Sequence, residues 1–240
     1  MNETLFVPLS DTSICCHIFG EGDKDIVMVH GNGEDYTVFQ QIIPDLVKDY
    51  RIIAIDSRGH GLSPFGRKRL TYNRMAEDTF YTIKMLRLSK PHFIGFSDGG
   101  IIGLILAINY PHLVDRYVIC GANLNPMGMK AGVLKTLNLD YMKYFSKGIF
   151  SDEDYKNARH YRLMVQEPMI RPKSLEKIQD PVLIMAGDRD IVKESHTNLI
   201  ARSIPNSHIK IIEDCGHFVF NKKPQEALKA MRIFFSEKRA

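Results

Sequence analysis

Short apolar runs alternate along the chain with segments whose apolar positions recur at helical spacing. The runs Ile26–His30, Arg51–Ile55, His92–Phe96, Arg116–Cys120, Pro181–Ala186 and His208–Ile212 predict strands. Most are apolar at consecutive positions rather than alternate ones. That is the pattern of strands covered on both faces, and so of a parallel sheet flanked by helices. Ahead of them, Leu5–Pro8 and Ser13–Phe19 read as a leading antiparallel hairpin. Helical spacing predicts helices over Tyr36–Lys48, Asn73–Leu88, Gly99–Asn109, Glu194–Ser203 and Pro224–Ser236. The third is apolar nearly all round (Ile101, Ile102, Leu104, Ile105, Leu106) and should be buried. Strand–helix alternation of this kind predicts an α/β fold, a doubly wound, mostly parallel sheet.

The alternation breaks between residues 123 and 179, where two helical patterns occur and no convincing strand. The stretch is rich in methionine and aromatic residues, among them Met142, Phe145, Phe150 and Tyr155. It reads as a short helical cap inserted over one edge of the sheet, with the core formed by residues 1–122 and 180–240. Most of its large side chains are expected to pack the cap's own interior, and a few to face a pocket beneath it.

The 240 residues suit one such domain, and 44% hydrophobic with 25% charged residues is the mix of a soluble globular protein. The net charge of +4 is spread along the chain. The densest basic cluster, Arg67-Lys68-Arg69, reads as a solvated loop rather than a phosphate track, and no nucleic-acid partner is expected. The four cysteines Cys15, Cys16, Cys120 and Cys215 lack metal-ligand or redox-motif spacing and read as reduced core thiols. Neither a signal peptide nor an apolar run of membrane-spanning length is seen, so a cytoplasmic location away from the membrane is expected.

Chemistry concentrates at Gly95-Phe96-Ser97-Asp98-Gly99-Gly100, which joins an apolar strand to an apolar helix. Gly-x-Ser-x-Gly in that setting is a nucleophile elbow. The turn is so tight that the serine backbone is strained, and a glycine two residues to either side leaves no Cβ to collide with it. The serine then stands at a helix N-terminus, where backbone N–H groups and the helix dipole favour a developing negative charge.

Four further motifs follow predicted strands in order. They are His30-Gly31-Asn32-Gly33, Asp56-Ser57-Arg58-Gly59-His60-Gly61-Leu62-Ser63, Gly187-Asp188-Arg189-Asp190 and Gly216-His217-Phe218. With the elbow, they make the chain resemble the α/β-hydrolase superfamily over nearly its whole length. The resemblance implies Ser97 as nucleophile and His217 as general base, in the order serine, acid, histidine that this fold uses. It implies Asp190 as the acid orienting the imidazole, with Asp188 as a turn residue and Asp214 too near His217 to reach it without doubling back. The backbone N–H groups of Asn32 and Asp98 would form the oxyanion hole. His30 and His60 belong to the loop motifs and read as structural, and His112 and His196 as surface residues. No cofactor or metal is expected, since neither a P-loop, a dinucleotide fingerprint nor metal-ligand spacing is present.

A serine at the elbow argues against the dehalogenase and epoxide hydrolase members, which place aspartate there. The expected partner is a small-molecule ester, largely apolar, cleaved through an acyl-enzyme. Acyl transfer to another acceptor and a non-catalytic binding role are the alternatives. Asp98, directly after the nucleophile, resembles the branch that includes biphenyl hydrolase-like amino-acid ester hydrolases. There it would read a substrate ammonium; otherwise it caps the helix. The oligomeric state is not legible.

Overall fold

The computed structural model describes residues 2–237. Eight strands form one sheet in the order β1-β2-β4-β3-β5-β6-β7-β8. They are β1 (Asn2–Pro8), β2 (Ser13–Phe19), β3 (Lys24–Val29), β4 (Tyr50–Ile55), β5 (His92–Phe96), β6 (Tyr117–Cys120), β7 (Val182–Gly187) and β8 (Ser207–Ile212). β2 pairs antiparallel with β1 and β4; every other pairing is parallel. All eight coincide with expected strands to within a few residues. β8 departs in character, for three of its residues are exposed: it is an edge of the sheet, paired with β7 alone.

The helices are α1 (Ile43–Leu46), α2 (Tyr72–Met85), α3 (Asp98–Asn109), α4 (Ala131–Lys147), α5 (Asp152–Gln166), α6 (Glu194–Ser203), α7 (Val219–Lys222) and α8 (Pro224–Ser236). Alternate side chains of β3 enter two separate cores. Val27 and Val29 pack with α2, α3 and α6, whereas Ile26 and Met28 pack with α1, α7 and α8. The sheet is therefore covered on both faces, as consecutive apolar residues in β3 to β7 require. α3 lies in the first core with ten of its twelve residues buried.

Two expectations are corrected here. Tyr36–Lys48 is not one helix. It is a 3₁₀ turn over Tyr36–Phe39 followed by the single-turn α1. Pro44 is the cause, since a proline four residues after Gln40 removes the hydrogen bond and crowds the carbonyl there. The second concerns α4 and α5, which stand between β6 and β7. α4 has no buried residue and α5 only Ala158 and Leu163. Met142, Phe145, Phe150 and Tyr155 are all exposed. A two-helix hairpin is too thin to enclose a core of its own.

Candidate active site

The chain runs from β3 outward to β4 and then returns to β5 on the other side of β3. Strand order reverses at this point, and a crevice opens beyond the carboxyl ends of the two strands. β3 delivers His30-Gly31-Asn32 there, and β5 delivers Ser97.

Ser97 has φ 53° and ψ −112°, an unfavourable conformation for a residue with a side chain. Its N–H donates to the Cys120 carbonyl at 2.7 Å, which helps hold the strain. A Cβ at Gly99 would lie 1.9 Å from the Val29 carbonyl oxygen, so only glycine lets α3 pack this closely on β3. Ser97 Oγ lies 3.0 Å from His217 Nε2, and His217 Nδ1 lies 2.8 Å from Asp190 Oδ1. The same Asp190 oxygen accepts the Val192 N–H at 2.9 Å, and the carboxylate is buried. Phe96 and Phe218 flank the imidazole, with ring centroids 4.9 and 5.8 Å away. Gly121, in a left-handed conformation, leaves room for the ring: a Cβ there would come within 2.8 Å of His217 Cε1. Ser97, His217 and Asp190, far apart in sequence, thus form one hydrogen-bonded line.

The loop after β3 presses against the serine. A Cβ at Gly31 would lie 3.0 Å from Ser97 Cβ. His30 is buried, and its Nε2 accepts the Ser57 N–H at 2.9 Å. Nδ1 therefore carries the proton and donates to the Gly31 carbonyl at 2.7 Å. Burial also pushes this ring towards its neutral form. His30 shapes the loop, as expected. Asn32 Nδ2 donates to Asp98 Oδ2 at 2.9 Å and to the His160 carbonyl of α5 at 3.4 Å. The loop is thus tied both to the elbow and to the helical hairpin. The backbone N–H of Asp98 belongs to the first turn of α3, where helix N–H groups have no intrahelical partner.

Asp98 does not cap the helix with its side chain. It is buried, and Oδ1 accepts from the Tyr72 hydroxyl at 2.7 Å while Oδ2 accepts from Asn32. Burial raises its pKa to about 6 against these two hydrogen bonds. Asp188 accepts the N–H groups of Asp214 and Cys215 and is the expected turn residue. Asp214 is exposed and pairs with Arg189. His112 is exposed and pairs with Asp180. His196 corrects the surface reading: it is half-buried, and its Nε2 accepts the Leu124 N–H at 2.9 Å.

Three neighbours of the site escaped sequence reasoning: Tyr72, His160 and Glu34. His160 stacks on His60 with ring centroids 4.2 Å apart and donates through Nε2 to the Gly59 carbonyl. Glu34 Oε2 accepts the Gly31 N–H at 3.0 Å. Burial raises its pKa to about 7, opposed by that hydrogen bond and by the charge of His217. Cys15 and His17 of β2 and Asp56, just after β4, also converge within 4.8 Å. They are held by hydrogen bonds. Asp56 Oδ2 accepts from His17 Nε2 and the Leu62 N–H, and Oδ1 accepts the Tyr36 N–H. The Cys15 thiol is pushed up to about 11, chiefly by burial.

Because the native pKa values of Glu34 and Asp98 are raised, the folded chain holds protons that the unfolded chain has lost. Their contribution to stability is present at acid pH and falls as pH rises through about 6 and about 7. Glu34→Gln should therefore flatten the loss of stability between about pH 5 and about pH 8. The gain over wild type at the upper end should be on the order of 1 kcal/mol, discounted for the partial exposure of Glu34. Urea midpoints across that range measure it, and parallel curves for the two proteins would reject it.

The family model described as alpha/beta hydrolase fold matches residues 25–142. The chain has the α/β-hydrolase fold. Its sequence is 27% identical to the serine hydrolase BPHL of Mus musculus, over 82% of its own length and 74% of that protein's. It is 24% identical to the sn-1-specific diacylglycerol lipase ABHD11 of the same organism, over 88% and 80% of the two chains. Its fold superposes on the crystal structure of a hydrolase from Pseudomonas aeruginosa PA01 with TM-score 0.81 and 21% identity, covering 98% and 99% of the two chains. Among the described residues, no helix is long and apolar enough to cross a membrane.

Proposed function

We propose that this chain is a serine hydrolase that cleaves carboxylic esters of small, largely apolar substrates through an acyl-enzyme. The observation that carries the reading is the unbroken line Ser97 Oγ–His217–Asp190, with separations of 3.0 and 2.8 Å, built on a strained elbow. A serine hydroxyl becomes an effective nucleophile when a base at hydrogen-bond distance takes its proton. Ser97 Oγ bonds to the acyl carbon as its proton passes to His217 Nε2. The carbonyl oxygen becomes an oxyanion, accepted by the backbone N–H groups of Asn32 and Asp98. Asp190 keeps the Nδ1 proton in place and stabilises the imidazolium. His217 then gives the proton to the departing alkoxide. Water, deprotonated by the same ring, releases the acid and restores Ser97. Residues 123–179 serve as the cap over this crevice, and 1–122 with 180–240 as the core.

The test is a rapid-mixing experiment with p-nitrophenyl acetate, butyrate and octanoate. A burst of p-nitrophenol equal to the enzyme concentration, with the acyl group recovered on Ser97, is the expected result. Turnover without acylation of Ser97 would reject the mechanism. Diversion of the acyl group to added alcohol or thiol would identify a transferase instead, and no reaction with any ester would favour a binding protein.

A second reading has Asp98 select an aminoacyl ester by its ammonium. The geometry favours a different task, because both carboxylate oxygens already accept from Tyr72 and Asn32. Asp98 is then the residue that positions Asn32. Asp98→Ala should slow hydrolysis of aminoacyl esters and of their N-acetylated forms alike. The loss should be about tenfold or more, from buried donors left unpaired. A loss confined to the free amines would restore the ammonium reading.

A further inference from the structure

A cleft of about 470 Å³ lies between the α4–α5 hairpin and the loop Arg67-Lys68-Arg69. Ser97, His217 and Asn32 do not line it. Five of its lining residues are cationic: the three of the loop together with Arg159 and Arg162 of α5. Four are large and apolar or aromatic: Tyr141, Phe145, Ile149 and Tyr155, the last one turn from Arg159 on α5. No lining residue is acidic. Among the described residues, none of the five cations forms an ion pair with a carboxylate.

Neutral groups hold two of these side chains, and the backbone N–H groups of Arg67 and Lys68 donate to the Asp11 carboxylate, which is paired with Arg58. Arg69 donates to the Gln166 side-chain oxygen at 3.2 Å. Arg159 donates to the Lys68 carbonyl at 3.3 Å and lies over the Phe65 ring at 4.0 Å. These contacts fix guanidinium groups in place and leave their charge uncompensated. Burial weighs most against the charge on Arg159; Tyr155 favours it, and the positive charges of Arg162 and Arg58 weigh against it. An anion entering the cleft would relieve that repulsion, and guanidinium forks match the oxygens of a carboxylate or phosphate. The lining also offers large apolar side chains that the fold leaves largely uncovered. Phe145 is 63% exposed and Ile149 76%. The volume falls within the range that takes a single small molecule.

We propose that this cleft binds an anionic amphiphile, one molecule with a carboxylate or phosphate head and an acyl or aryl body, at a site separate from the Ser97 crevice. The head sits between Arg159, Arg162 and the basic loop, and the body lies along Phe145, Ile149 and Tyr155. The loop is exposed, as its composition predicts, yet it is one side of a two-sided cleft rather than a freely solvated segment.

Equilibrium titration of the full chain with dodecanoate, dodecyl phosphate, acetate, inorganic phosphate and dodecanol tests this, with all amphiphiles kept below micelle-forming concentrations. One equivalent of dodecanoate or dodecyl phosphate is expected to bind at least tenfold tighter than acetate, inorganic phosphate or dodecanol. The preferred head tells carboxylate from phosphate ligands. Arg162→Gln and Lys68→Ala should each weaken binding several-fold. Arg159→Gln should do so as well, but its contact with Phe65 also serves the fold, so its melting curve is compared with wild type. Ser97→Ala should leave the affinity unchanged. Equal affinity for dodecanol, unaltered affinity in Arg162→Gln and Lys68→Ala, or loss of binding in Ser97→Ala would each overturn the proposal. The last two would move the ligand to the crevice. Failure of ester hydrolysis would leave this binding prediction standing, since its readout is not activity.

Discussion

Replacing Ser97 by alanine should lower kcat on p-nitrophenyl butyrate by about a million-fold, and His217→Ala by a similar factor. The argument is cooperative. In the proposed mechanism the hydroxyl is reactive only while His217 Nε2, 3.0 Å away, can take its proton, and the ring serves only if there is a hydroxyl to relieve. The double variant should therefore lose no more than either single one. Asp190→Ala should cost less, because the ring keeps its place between Phe96 and Phe218 and loses only its orienting acceptor. Residual rate should survive in all of them, since the backbone N–H groups of Asn32 and Asp98 remain. Single-turnover rates for the three variants and the double variant measure this. Multiplicative losses in the double variant would mean that Ser97 and His217 do not act as a unit. An unchanged rate in Ser97→Ala would remove the nucleophile from the serine altogether.

Much of this arrangement is legible in the sequence because it is written locally. The elbow needs glycine at fixed distances from Ser97, and the close approach of Gly99 to Val29 is the physical reason for that spacing. Asp190 and His217 are named by the resemblance, since the motifs that carry them follow predicted strands in the order this fold uses. What could not be placed depends on side chains meeting across the fold. Tyr72 reads as an ordinary early residue of α2; that its hydroxyl reaches Asp98 follows from how α2 packs on α3. His160 and Glu34 carry no signal of their own, since the first is one polar residue on an amphipathic helix and the second one acid in a polar loop. His196 looked superficial for the same reason. The helix expected over Tyr36–Lys48 is a different failure: the signal, Pro44, was present, and apolar spacing was given more weight than the missing N–H. The exposed α4 shows the limit of spacing as a guide. Spacing says which residues could form a buried stripe, but a stripe is buried only if an element lies opposite to cover it.

The other large effect expected lies away from the crevice, at Arg58 of the turn that follows β4. Its side chain is only 1% exposed, yet it carries a full charge. Asp78 of α2 accepts two of its hydrogen bonds, at 2.6 and 2.8 Å, and Asp11 accepts two more, both at 3.1 Å. One guanidinium thus joins the β1–β2 turn, the loop after β4 and α2. Burial pulls the Arg58 pKa down, but the hydrogen bonds to Asp78 and Asp11 outweigh it and hold the charge. Asp78 shows the opposite balance: burial raises its pKa, and Arg58 holds it back. Arg58→Ala should therefore destabilise the fold by about 3–5 kcal/mol, because it strands one carboxylate in the interior and frees the turn bearing the other. For a chain of this size that is a fall in melting temperature of roughly 6–20 °C. Stranding also has a direction in pH. With Arg58 gone, only the more weakly acting charge of Arg74 opposes the burial that raises the Asp78 pKa, so the variant should recover part of its stability as pH falls and that carboxyl group takes up a proton. Arg58→Ala combined with Asp78→Leu should be less destabilised than Arg58→Ala alone, since the buried charge leaves with its partner. Denaturant midpoints of the two variants at neutral and mildly acidic pH measure both claims. If the second substitution only added to the damage of the first, the cost at this position would lie in lost packing and turn geometry, and the buried ion pair would not be its source.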